Sequence, residues 1–404
     1  LNMHSLHELF RIGMGPSSSH TMAPRRAAQI FRERTPEAVR YQVTLYGSLA
    51  ATGRGHLTHT ALQEALAPYP VEILEQPAQE LPDHPNGMDF IAFAADGRPQ
   101  QTWRVYSIGG GALRSAGEAA ETPAVYSRTT MAQLLDWCAT SGKPLWQYVE
   151  ECEGAGIWMY MADVWQTMQR ALQRGLEAEG VLPGGLHLQR KARSVYKKVQ
   201  QLAAPQQRTG LVTAYALAVS EENANGGIIA TAPTCGACGV LPAVLAYLQQ
   251  RFENSQTSIL RALATAGLIG NLVKYNASIS GAEVGCQGEI GTACAMSAGA
   301  AAYLLGATPY QIEYAAEMGL EHHLGLTCDP VAGLVQIPCI ERNAMAATRA
   351  LDCAEYALFS DGRHVISFDQ VVLTMEHTGH DLPSLYRETA SGGLASVYRA
   401  QPEK

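Results

Sequence analysis

Basic residues are in the minority. Twenty-nine Lys and Arg stand against 37 Asp and Glu, a formal charge of −8 at pH 7. That balance disfavours nucleic acid as a partner. Charged residues make up only 16% of the chain and aromatics 7%, while 47% is hydrophobic. A disordered or collagen-like chain is excluded, and a large core is affordable. No long lipid-compatible run is present. One long uncharged stretch, Ile290 to Ile312, is filled with Gly, Ala, Ser and Thr and broken by Pro309, so it reads as a buried helix and no membrane partner is expected. Leu1 to Phe10 lacks a basic segment followed by an apolar one, so no signal peptide is expected. Nine cysteines, an odd count, do not suit a disulfide framework and point to reduced thiols in a cytoplasmic protein, some of them ligands.

What is present is glycine, 38 residues of it, in a chain of 404, long enough for two domains. The expected class is α+β: a small α/β domain over 1–111, a linker over 112–128, and an all-helical domain over 129–404. In the first part a helix is expected from Thr21 to about Glu33. Val43 and Leu45, Val71 and Ile73, and Met88, Phe90 and Ala92 alternate as strands do, with a hairpin turn at Asp96-Gly97. Beyond the linker, helix starts recur. The clearest is Thr308-Pro309-Tyr310-Gln311, with an N-cap Thr, Pro at the first helical position and a Gln that closes a capping box.

Several segments could carry chemistry. Ser17-Ser18-Ser19-His20-Thr21 offers four hydroxyls and free N–H groups at a helix start, an anion site suited to carboxylate or phosphate. A plain cap would need only one of them. Gly109-Gly110-Gly111 has neither the Walker ending nor dinucleotide spacing, leaving a flexible strand exit as the alternative. His56, in Gly53-Arg54-Gly55-His56, is either a general base or a cap on the next helix, and its local sequence favours the cap. Cys286, Cys328 and Cys339 each lie in a string that reads as a helix N-terminus, where thiolate is favoured. Three such ligands suit an iron–sulfur cluster with one open position. Zinc ligands, or inert buried thiols like those assumed for Cys138, Cys152, Cys294 and Cys353, are the alternatives. Cys235 and Cys238 form a C-x-x-C in a Gly-rich turn, and Glu321-His322-His323 puts adjacent residues on different helix faces.

Taken together, these strings resemble the bacterial iron–sulfur-dependent L-serine dehydratase family. The resemblance rests on Gly15 to Thr21, Leu45 to Leu49 with Thr52 to His56, Tyr106 to Gly111, Glu221 to Ala224, Ala232 to Thr234, Asn276 to Glu289 and Leu326 to Asn343. It implies a small domain like the allosteric substrate-binding domains of some phosphoglycerate dehydrogenases, a [4Fe–4S] cluster on Cys286, Cys328 and Cys339, and a homodimer. It also implies elimination of water from L-serine to aminoacrylate, which hydrolyses to pyruvate and ammonia. His56 would be the base. Ser17, Ser18, Ser19, His20, Thr21, Gly109, Gly110, Thr234, Cys235 and Gly236 would hold substrate, with Lys274 a further candidate. One departure matters: some members end in a cysteine that reaches the fourth iron, and this chain has none after Cys353. Solvent is the expected replacement and Cys235 the alternative. A related lyase acting on cysteine, or a non-catalytic serine sensor, are the rival functions.

Overall fold

The computed structural model describes residues 2–117 and 124–398. Five strands form one sheet in the order Val71–Gln76, Arg40–Tyr46, Gly87–Phe93, Pro99–Ser107, Leu113–Ser115. The first pair is parallel and the rest antiparallel. A parallel pair needs a crossover, and helices Gly47–Thr52 and Thr58–Leu66 supply it. Alternation places Tyr41, Val43 and Leu45, then Met88, Phe90 and Ala92, in one buried layer under helix Ala23–Arg34. Phe31 from that helix is fully buried against Phe90. Each such side chain contributes about 1.5–3 kcal/mol.

The sheet runs past Gly111, because Leu113–Ser115 pairs with Val105–Ser107 as the edge strand. Part of the expected linker is therefore sheet, and residues 118–123 lie outside the described residues. The first residues of the chain belong to the helical body instead. Met3–His4 pairs with Ala124–Tyr126, Ile12–Met14 pairs with Ile228–Ala230, and Leu6, Leu9 and Phe10 sit in the helical core. These short pairings are what break the all-helical expectation.

Helix Thr292–Leu304 forms the centre of that body, flanked by helices Val240–Phe252, Gln256–Asn276, Pro309–Glu321 and Cys339–Phe359. Its Ala/Gly-rich sequence has no polar face, and it is buried nearly all round. Thr308 caps the next helix with the expected box closed by Gln311. No described helix is long and apolar enough to cross a membrane.

Candidate active site

The Ser17–Thr21 run is a single wide turn, Ser18–Met22, leading into helix Ala23–Arg34. Ser17 caps it, its Oγ accepting from the His20 N–H at 3.0 Å. The other hydroxyls do more than cap. Thr21 Oγ1 donates to the His56 carbonyl at 2.6 Å, and Ser19 Oγ lies 2.7 Å from His20 Nδ1. Ser48 Oγ donates to the Glu388 carbonyl, so toward His20 Nε2, 3.1 Å away, it accepts. His20 therefore carries its proton on Nε2. Burial pushes its pKa down to about 4.

His56 lies in the turn before helix Thr58–Leu66, whose N-cap residue, Leu57, has no side-chain cap bond. The cap alternative thus fails. The imidazole turns inward instead, edge-on to His20 with ring centroids 4.5 Å apart. Thr52 Oγ1 donates to the Ser48 carbonyl and so accepts from His56 Nδ1 at 3.2 Å. That bond puts the proton on Nδ1 and leaves Nε2 a free lone pair. Burial, then the neighbouring His20, hold His56 well below its usual pKa, so the ring is neutral.

The thiols approach from the helical side. Cys339 opens helix Cys339–Phe359, and Cys286 precedes the turn Gln287–Gly291 that runs into helix Thr292–Leu304. Cys328 departs from expectation. Pro330 opens only a single turn, Val331–Gly333, and the Cys328 backbone is instead bonded on both sides to the C-terminal strap, through the Tyr386 carbonyl and the Glu388 N–H. Asp329 accepts from the Leu394 N–H at 2.7 Å, tying down the end of the same strap. Gly281 is required here by close approach: a Cβ would stand 2.7 Å from Glu289 Oε2 and 3.2 Å from Cys328 Sγ.

The three thiols act electrostatically on one another, and burial raises all of them, Cys286 to about 11. Arg342, one turn into the Cys339 helix and anchored on the Thr327 carbonyl, counters this at Cys286 and Cys339. Glu289 and Glu388 are also buried and raised, Glu388 partly by the charge of Glu289. Glu388 Oε1 lies 3.4 Å from His20 Nδ1, which joins the two halves of the site. Among the described residues, only His20, His56 and Glu388 bring three donor atoms within 4.8 Å of one another. The three cysteines are not such a group.

The remaining candidates divide. Thr234 Oγ1 and Ser280 Oγ are buried without hydrogen-bond partners, and a methyl at Gly236 would lie 3.5 Å from Glu289 Oε1. Gly109 and Gly110 have φ of 93° and 57°, and the loop packs on Ile279 and Ser280, just ahead of Gly281. Lys274 is elsewhere: its Nζ donates to the Glu8 carbonyl at 2.8 Å, and it lines an inter-domain cavity that no thiol lines. Cys235 turns its thiol toward Met22 Sδ, 3.7 Å away, in an apolar cluster with Cys238. His322 and His323 each turn Nδ1 onto a carbonyl of their own helix and form no triplet. Sequence reasoning missed Glu388, Ser48, Thr52 and Arg342 as site residues. Only Arg342 had a signal, its place three residues after Cys339.

A neutral imidazole with a free lone pair is able to take a proton and buried thiols are able to ligate a metal, the two kinds of group that a metal-dependent lyase uses. The chain belongs to the serine dehydratase family. The profile of the serine dehydratase alpha chain matches residues 92–395 and that of the beta chain residues 5–75. Over 97% of its length the chain is 42% identical to L-serine dehydratase 1 of Escherichia coli and 41% identical to the L-serine dehydratase of Streptomyces coelicolor, covering 99% and 98% of those proteins. It is 36% identical to the Helicobacter pylori L-serine dehydratase, with 98% and 99% covered.

Proposed function

We propose that Cys286, Cys328 and Cys339 hold a [4Fe–4S] cluster and that His56 takes the α-proton of L-serine. The chain is an L-serine dehydratase, an ammonia-lyase that releases pyruvate and ammonia. The single observation that carries the residue assignment is the neutral His56 with Nε2 free, linked through His20 to Glu388, whose backbone is bonded to Cys328. Burial of all three thiols suits a cationic centre, since buried thiols ionise readily only against one. When bound, the cluster supplies an open iron that acts as Lewis acid on the substrate hydroxyl.

The protein's part follows from its bonds. Thr52 fixes the His56 tautomer, so Nε2 accepts the Cα proton as the Cβ–OH bond breaks and water leaves. The aminoacrylate left behind hydrolyses to pyruvate and ammonia. Ser18, whose hydroxyl has no partner while Ser17, Ser19 and Thr21 are engaged, and the orphaned Thr234 and Ser280 hydroxyls are free to bind the carboxylate and ammonium. Ser17, Ser19, His20 and Thr21 hold His56 and the loop in place. Gly109, Gly110 and Gly236 let the backbone approach closely. A cavity of about 600 Å³ lined by Ser48, Ala282 and Arg387 offers an approach from solvent. Cys235 is packed on Met22, so the protein offers no fourth thiol there and solvent would complete a bound cluster. A homodimer in the cytoplasm completes the reading.

Anaerobic reconstitution with iron and sulfide, followed by pyruvate assays on L-serine and L-cysteine, tests it. Visible cluster absorption with turnover on serine well above cysteine is expected. A colourless protein with turnover would remove the cluster, and preference for cysteine would move the chain to a related lyase.

A further inference from the structure

A cavity of about 580 Å³, which Cys353 lines but Cys286, Cys328 and Cys339 do not, lies between helices Pro309–Glu321 and Cys339–Phe359 and the loop at His364 to Ile366. Most charges around it are already matched. Glu313 is held by His364 and accepts from the Phe368 N–H, Asp352 pairs with Arg208 at 2.8 Å, and Arg349 donates to the His322 carbonyl. Glu321, half exposed, faces His322 at 3.6 Å. Glu317 is the exception. It is only 3% exposed, lines the cavity, and has neither a hydrogen bond nor an ion pair. The charges acting on it are Glu321, His364 and Glu313, with Arg349 not among them, and burial lifts its carboxyl to about 7.

Aromatic and apolar side chains share the walls with these matched charges. Tyr314 stacks on His364 at 4.2 Å and meets Tyr356 edge-on, while Met318, Val365 and Ile366 close the sides. A bare metal ion would prefer several oxygens to such walls. A carboxylate without a partner beside exposed tyrosine suits a cation with a hydrocarbon body, held by a charge-assisted hydrogen bond and the ring face.

We propose that this cavity binds an organic ammonium or guanidinium group, with Glu317 as its counter-ion and Tyr356 as its aromatic face. Neither residue belongs to the serine site, so the proposal stands apart from the catalytic reading. The cation has two possible sources, a free amine or a lysine or arginine of a second copy of the chain.

Calorimetric titration of the reconstituted enzyme with butylammonium, and with butyrate as the opposite charge, tests the chemistry. Saturable binding of butylammonium alone is expected, weakened about tenfold or more by Glu317→Gln and less by Tyr356→Ala. Tyr356 is well exposed, so its variant remains informative if Glu317→Gln fails to fold. Serine turnover without the amine stays unchanged in both. Sedimentation of the same samples separates the sources: a free amine leaves the assembly unchanged, whereas an oligomer that butylammonium and Tyr356→Ala both dissociate draws the cation from a second copy. No saturable binding together with an unaltered assembly, or variants that bind like the parent protein, would overturn the proposal.

Discussion

Burial shifts the two halves of the active site in opposite directions, and in both it favours the neutral form. On the small-domain side His20 and His56 are pushed down to neutrality, and three of their four ring nitrogens are bonded to Ser19, Ser48 and Thr52. On the helical side three thiols and two carboxyls are all pushed up, Thr234 lies beside Glu289, and the Ser280 hydroxyl is buried without a hydrogen-bond partner. The first half is complete with protein atoms alone. The second is costly to bury as it stands and becomes reasonable once a cationic centre takes the sulfurs. On the proposed reading, one half moves a proton and the other holds a metal centre.

The widest gap between the halves should appear on removing sulfur. Replacing Cys286, Cys328 or Cys339 by Ser is expected to abolish both cluster absorption and pyruvate formation, while Cys138→Ser leaves both intact. Full iron loading with normal turnover in any of the three would dissolve the comparison. Gly281→Ala attacks the same half more gently. Its methyl presses on Glu289 and Cys328, and overpacking of this kind costs about 1–3 kcal/mol. Iron content after reconstitution should fall while the folded secondary structure, read by circular dichroism, persists.

The histidine half should respond through rate alone. Thr52→Val removes the acceptor that fixes the His56 tautomer, and kcat is expected to drop about 10- to 100-fold with cluster absorption unchanged. Equal loss of absorption would show that the halves are not separate. Because His56 is held well below 6.5, it stays deprotonated as pH falls through that value. The acid limb of the kcat/KM profile should therefore lie below pH 6.5, and a limb at 6.5 or above would contradict a buried neutral base. The smallest effect lies outside both halves: Thr308→Ala opens a capping box at a cost of about 1 kcal/mol in denaturant stability, with turnover untouched.

Much of this was legible in the residues. The alternation of Val43 and Leu45, the turn at Asp96-Gly97 and the Thr308 box are local signals, and local geometry followed them. The edge strand Leu113–Ser115 was not, because three residues are too short to show a period. Nor was the docking of Leu6, Leu9 and Phe10 into the helical core, which depends on partners more than a hundred residues away. Cys328 looked like a helix start because Asp329-Pro330 imitates one, but Asp329 is drawn off to cap the strap at Leu394. Glu388 carried no motif at all. It is a site residue only because the strap pairs with Cys328 and lays its carboxylate beside His20. Lys274 was a substrate candidate whose helical context suited a structural role equally, and its ammonium donates to the Glu8 carbonyl.

The division of labour between the halves is tested most directly by His56→Ala, reconstituted anaerobically and examined for cluster absorption and serine turnover in the same sample. The expected result is an unchanged spectrum with turnover lower by about 10²–10⁴-fold, the range typical of losing a general base. Turnover equal to the parent enzyme would contradict it and hand the proton to another residue.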